Sequence, residues 1–213
     1  MKIVWEDRDP LDLVSLVEAK AHLRVDHSSE DDYIERLIDA AIKMVEVEAN
    51  CVIFTRGGVG YLNDWPSATR NNPRAALVIP AMPLASVQEL RILASDGESY
   101  TLVDDATYGV DAFATPGYMF LKPGYSWPTL TAGVEFPNRV QVTFTAGLGA
   151  GGGTSNESAV QAVLALVAHW FENREAVVVG TIATSLPLGF DRLVATFSNP
   201  LVGPVENLPV GGA

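Results

Sequence analysis

Ala168–Gly180 reads AHWFENREAVVVG and brings together most of what could pass for chemistry in this chain. His169 and Glu172 are three residues apart, which on a helix makes them surface neighbours. A metal site built this way needs a second such pair or further His or Cys ligands. The remaining histidines are His22 and His27, near the first expected helix, so no ligand set is specified. Glu172, Arg174 and Glu175 follow as a charge cluster. Paired carboxylates act as acid and base only where a pocket separates their pKa values, and nothing here specifies a pocket. The cluster reads as a solvated or intersubunit contact.

Gly147–Gly152, GLGAGG, matches G-x-G-x-x-G literally. It follows an expected strand and precedes a helix, as a phosphate cradle does. Three features oppose that reading. Gly153-Thr154-Ser155 separates the glycines from the helix, the preceding segments read as antiparallel, and no Lys stands at a P-loop position. A flexible connector fits better. Ser28, Ser29 and Ser155 sit at helix caps and not on a G-x-S-x-G elbow. Cys51 is the sole cysteine, so no internal disulfide forms, and it reads as a small buried hydrophobe. No catalytic, cofactor-binding or metal-binding residue is expected, and no cofactor.

These residues need elements to position them. Ser15-Leu-Val-Glu18 is a capping-box pattern, starting a helix that runs over about 15–25, with Leu16, Val17, Ala19 and Leu23 supplying its apolar side. Ser29-Glu-Asp-Asp32 opens a second helix over about 29–50, with acids where the macrodipole favours them. Ile34, Leu37, Ile38, Ala41 and Val45 recur at helical spacing on it. A third helix over about 157–175 buries Val160, Val163, Leu164, Val167, Trp170 and Phe171. Between them, about 51–146, proline, glycine and β-branched residues predict strands at 52–55, 76–79, 87–93, 99–103, 108–111, 118–121 and 139–145. Ser95-Asp-Gly-Glu98 predicts a hairpin turn with Gly97 at positive φ. Trp65, Trp127, Tyr61, Tyr125 and Phe136 lie in the loops of this region, where aromatics beside prolines mark contact surfaces.

The fold class is therefore α+β: a helical core of two N-terminal helices and one long C-terminal helix, with an antiparallel β insertion and an extended C-terminal tail. Residues 1–175 are expected as a single domain. Residues 176–213 form the tail, with a short helix at about 190–196 and a Pro/Gly-rich end. At 213 residues, 48% hydrophobic and 19% charged, the chain can bury a core. The longest apolar run, Ala159 to Phe171, is too short to span a bilayer. The net charge of −12 excludes a basic, sequence-reading nucleic-acid protein. It suits a wall that phosphate slides past.

Three segments in order carry a resemblance. Val17-Glu-Ala-Lys-Ala-His-Leu-Arg-Val-Asp26, followed by Tyr33-Ile-Glu-Arg-Leu-Ile-Asp-Ala-Ala41, resembles the opening of the head–tail connector (adaptor) proteins of long-tailed bacteriophages. Val167-Ala-His-Trp-Phe-Glu-Asn-Arg-Glu-Ala176 is similar to that family's most recognisable helix, and Leu186-Pro-Leu-Gly-Phe-Asp-Arg-Leu-Val194 to its final short helix. Related adaptors occur in gene transfer agents.

The resemblance implies a structural protein without catalytic residues. It implies a homo-oligomeric ring, commonly dodecameric, under the portal at the capsid–tail neck of a virion assembled in a bacterial cytoplasm. Its partners would be the portal protein and a stopper or tail terminator, with DNA passing through the lumen unread. On this chain, Glu172, Arg174, Glu175 and Arg36 are the candidate subunit-interface residues. Val177, Val178, Val179, Leu186, Phe190, Leu193 and Phe197 are the candidate portal contacts. The alternatives are a stopper or tail-completion protein, or a nucleotide- or ligand-binding module using Gly147–Gly153.

Overall fold

The computed structural model describes residues 1–7, 13–68, 75–148, 157–174 and 189–198. Their contacts group into two compact units where the sequence suggested one domain. Residues 1–6 and 55–148 form one unit, and the helical segments drawn from 7–54 and 157–198 form the other.

In the helical unit, α1 spans Leu16–Leu23, α2 Asp31–Ala49, α3 Glu157–Glu172 and α4 Phe190–Ala195. Ser15 caps α1 as its sequence predicts, its hydroxyl accepting from the Glu18 amide at 3.1 Å. Arg24 and Asn50 close α1 and α2 in the left-handed conformation, which satisfies orphan carbonyls at each helix end. The Lys20 ammonium meets the Asp31 carboxylate at 2.6 Å and ties the two helices together. Ile34, Ile38, Ala41, Ile42 and Val45 form the buried stripe of α2. Val160, Val163, Leu164 and Val167 form that of α3, and Ala162 is buried with them. Small residues let neighbouring helices come close, and α2 and α4 both pack against α3.

Two helix expectations change. Val17 was placed on the apolar side of α1 and is exposed, while Leu13 and Val14, before the cap, are buried in its place. Trp170 and Phe171 are only half-buried and do not anchor α3 in the core.

The other unit is antiparallel throughout. A five-stranded sheet has the order β1-β2-β8-β4-β5, and a three-stranded sheet the order β3-β7-β6. The strands are β1 Lys2–Trp5, β2 Arg56–Leu62, β3 Leu77–Val78, β4 Leu84–Leu93, β5 Tyr100–Leu102, β6 Tyr108–Asp111, β7 Tyr118–Leu121 and β8 Val140–Ala146. Strand β8 alternates strictly, burying Val140, Val142, Phe144 and Ala146, as a half-buried strand should. The turn at 95–98 forms with Gly97 at φ 73°, and Asp96 accepts from the amides of Glu98 and Ser99 at 3.0 Å each.

The strand expected at 52–55 is irregular, and the chain enters the sheet at Arg56. Strands β1 and β2 were not anticipated. Strand β2 reads RGGVGYL, and its glycines hid it. They are there because the sheet needs the room: a Cβ at Gly58 would lie 2.9 Å from Trp5 Cε3 and 3.1 Å from Phe144 Cζ. Trp5 packs edge-on to Phe144 with centroids 5.6 Å apart, and the Arg56 guanidinium covers its other surface at 4.6 Å.

Candidate connector surface

Of the charged residues picked out at the end of α3, Arg174 is built into a cluster with Phe171, Tyr33 and Glu30. Phe171 points from the last turn of α3 towards Tyr33 on the first turn of α2, their centroids 6.2 Å apart. The Arg174 guanidinium lies over both rings, 4.5 Å from the centroid of Phe171 and 4.9 Å from that of Tyr33. Its Nη2 donates to Glu30 Oε1, and its Nε donates to the Phe171 carbonyl at 3.3 Å. Glu30 and Tyr33 are three residues apart, so they share a face at the start of α2. Asn173 closes α3, its amide and side-chain nitrogen both donating to the His169 carbonyl at 3.0 and 2.8 Å.

Arg174 is thus spent largely within the subunit, joining the end of α3 to the start of α2. Glu172 is exposed beside it. Arg36, one turn further along α2, is exposed and donates from Nε to the Asp32 carbonyl at 3.0 Å. With Asp32, Glu35 and Asp39 it lines an open, mostly acidic groove. Glu30 and Tyr33 were not singled out from the sequence, since a separation of 144 residues between Glu30 and Arg174 hides the pairing.

The candidate portal contacts divide. Phe190 and Phe197 are buried, Phe190 at 1% exposure, and Leu193 is half-buried. Phe190 and Phe197 pack inside the helical unit, while Leu193 is part-exposed. Val177, Val178, Val179 and Leu186 lie outside the described residues, as does Glu175. So does most of the glycine loop, of which Gly147 donates its amide to the Pro83 carbonyl at 2.9 Å.

The loop aromatics are mostly engaged internally. Trp65 and Trp127 stack at 4.7 Å and 10°. Their indole nitrogens donate to the carbonyls of Pro128 and Ala75 at 2.7 and 3.1 Å. Arg139, buried at the start of β8, donates to the Asn63 carbonyl at 2.7 Å and to Asp64 Oδ2 at 3.1 Å. Phe136 lies against Gly97. Tyr125 remains exposed.

Among the described residues one serine–histidine pair comes together. Ser29 Oγ lies 2.8 Å from His27 Nδ1, but both are exposed in the turn between α1 and α2. Among the described residues no group of three or more His, Cys, Asp or Glu could hold a metal, and no helix is long and apolar enough to cross a membrane. Burial, with the Glu46 charge second, pushes the Cys51 thiol up to about 12, so it carries no reactive thiolate. What the chain does offer is packed helices with charged ends and a sheet unit with pinned loops.

Comparison with known proteins gives a likeness in family over part of the chain and in fold over most of it. Residues 14–76 match the phage gp6-like head-tail connector protein family. The match covers less than a third of the chain, spanning α1, α2 and β2. The matched family is one of structural connectors, not of enzymes.

Solved structures extend the likeness in fold. A chain in the neck of an empty gene transfer agent particle, computed with C6 symmetry, superposes with a TM-score of 0.70 at 23% identity. A chain in the virion of a native gene transfer agent particle gives 0.71 at 24%. A chain in the neck of a native particle, computed with C12 symmetry, gives 0.68 at 22%. Each comparison covers 96% of this chain and all of the other. At such identity the likeness is one of fold. No curated protein matches this chain in sequence.

Proposed function

We propose that this chain is a head–tail adaptor: a structural ring component that sits under the portal of a phage-type particle, joins the DNA-filled capsid to the stopper or tail, and lines the DNA channel. One observation carries the reading most of the way. A fold shared over 96% of the chain with gene transfer agent neck and virion chains coincides with a connector-family match over 14–76. The net charge of −12 supports a lumen that DNA passes without sticking.

In this reading the subunits close head to tail, and Glu172, Glu175 and Arg36 face a neighbour, where opposite charges set specificity and approach more than affinity. The portal contact falls on 175–188, with Val177, Val178, Val179 and Leu186, and on the residues after Ser198. Phe190 and Phe197 hold α4 in place behind it.

Binding to intact portal rings from the same particle tests the proposal. The full chain should co-sediment with the rings. A version ending at Ser198 keeps α4 and its buried phenylalanines, so any loss of binding reports the last residues and not a damaged core. If the full chain fails to bind intact rings, the adaptor reading is wrong. In parallel, excess nucleotide should give no thermal stabilisation; a ligand at 100 times its Kd would add roughly 2.7 kcal/mol.

A further inference from the structure

Strands β1 and β5 are the two edges of the five-stranded sheet. The pairing inside the sheet fixes which of their backbone groups are left over. The Glu6 amide donates to the Gly57 carbonyl at 3.0 Å. By the alternation of an antiparallel ladder, Lys2 and Val4 then bond to β2, and Ile3 and Trp5 turn their amides and carbonyls outward. At the other edge the Ala94 amide donates to the Ser99 carbonyl at 2.9 Å, and the Val103 amide to the Leu90 carbonyl at 2.8 Å. Thr101 therefore bonds to β4, and Tyr100 and Leu102 turn outward. No described residue bonds to these outward groups.

Sheet edges are commonly blunted by charge, proline or a bulge. In this −12 chain neither edge strand contains an acid or a proline: β1 reads KIVW and β5 reads YTL. Both pair with their inner neighbours in unbroken register. Each also carries an exposed aliphatic residue, Val4 at 50% and Leu102 at 60%.

The two edges fit each other. Every pairing in the order β1-β2-β8-β4-β5 is antiparallel, so β1 and β5 run in the same direction. A copy placed head to tail brings its β1 beside β5 as a parallel neighbour. In a parallel pair, one residue bonds to the two that flank its opposite number. The outward groups of Ile3 fit between those of Tyr100 and Leu102: the Ile3 amide donates to the Tyr100 carbonyl, and the Leu102 amide to the Ile3 carbonyl. That register sets Val4 beside Leu102. The faces agree as well. Val4 shares a face with Val59 and Thr143, and Leu102 with Arg91 and Gln141. Thr143 and Gln141 are two apart on β8 and so lie on one face.

We infer that β5 of one copy and β1 of the next pair as parallel strands, so that the sheet runs on from subunit to subunit; this rests on the adaptor reading. The contact is heterologous, the kind that closes into a ring. Val4 and Leu102 cover each other across it. Main-chain hydrogen bonds hold the pair, and the length of the edges, 4 and 3 residues, makes it a contact that sets the register between copies.

The test uses assembled particles. With Val4→Cys and Leu102→Cys in the same chain, oxidation of purified particles with copper phenanthroline should link copies into dimers, trimers and longer chains on a non-reducing gel. Aligned residues on neighbouring strands lie within disulfide reach. Within one copy the same two positions are four strand spacings apart, roughly 19 Å, and cannot bond. Either substitution alone should link nothing, since Cys51 is buried. Leu102→Pro removes an outward amide and no hydrogen bond of the subunit, so it should melt within about 3 °C of the parent. It should lower incorporation of the chain into particles about tenfold or more, whereas Leu102→Ala, which keeps the amide, should stay within about threefold. No linked copies in particles that contain the doubly substituted chain, dimers from Val4→Cys alone, linkage to a different protein, or normal incorporation of Leu102→Pro would each overturn the inference. In each of these cases the chain is present in the particle and the adaptor reading stands. Absence of the parent chain from the particle would defeat both.

Discussion

At the scale of single residues, Arg174 shows how a charge that looks available is used. Its guanidinium covers Phe171 and Tyr33 and pairs with Glu30. Part-exposed cation–π contacts and surface ion pairs each contribute about 0.5–1 kcal/mol. Arg174→Ala should therefore lower the unfolding free energy by about 1–2 kcal/mol in urea titration. Arg174→Lys should recover part of it, since an ammonium pairs with Glu30 but cannot lie flat over two rings. Cys51 gives a chemical check: with its thiol raised to about 12 by burial, iodoacetamide at pH 8 should leave the folded chain unlabelled and label it in urea.

Asp96 gives a pH check. Hydrogen bonds from the Ser99 hydroxyl and from the amides of Glu98 and Ser99 hold its carboxyl down to about 2. A lowered carboxylate pKa stabilises the fold above the unfolded value of about 3.9, and the contribution is lost as pH falls towards 2. Amide exchange at Glu98 and Ser99 should rise, relative to the rest of β4 and β5, across that window. Asp96→Ala should show the faster exchange at neutral pH as well.

At the scale of elements, glycine does in β2 what bulk does elsewhere. Gly58 lies against Trp5 and Phe144, so Gly58→Ala should cost about 1–3 kcal/mol by overpacking, read as a lower denaturant midpoint. The same fact explains why β2 was illegible. A strand of RGGVGYL lacks the β-branched run that signals one, and its partner β1 lies some fifty residues away, at the chain's start. Helices α1, α2 and α3 were legible because period is local: Ile34, Ile38, Ala41 and Val45 are buried as their spacing says, and Ser15 caps α1 as its pattern says, whereas α2 starts after Glu30 with no side-chain cap and not at Ser29. Strands β6 and β7 were legible to the residue because tyrosine and hydrophobic residues sit between clear breakers.

The ends of elements were less legible, since tertiary partners decide them. The pattern of α3 predicts that Trp170 and Phe171 are core, but the last turn of a helix meets solvent, and Phe171 finds Tyr33 and Arg174 there. Phe190 was a candidate portal contact because the family resemblance places that contact in the C-terminal segment. It is buried in the helical unit. Phe190→Ala should cost about 3–5 kcal/mol, far more than an exposed portal contact would cost the free chain.

For the whole molecule, charge and architecture bear on the same role. A −12 chain should not retain duplex DNA in a mobility-shift experiment even at about 50 mM salt, where counterion release favours binding most. Tight retention would be inconsistent with a passive lumen. The likeness to phage head–tail connectors was stated from three segments in order, Val17–Asp26 with Tyr33–Ala41, Val167–Ala176 and Leu186–Val194, and the family match falls on the first of them.

The most direct measurement is a cryo-EM reconstruction of the neck of the particle that carries this chain, at a resolution that distinguishes side chains. The account predicts a closed ring of this chain directly beneath the portal, with the lumen along its axis and 175–188 against the portal. Density for the chain elsewhere in the particle, or a neck complete without it, would contradict the account.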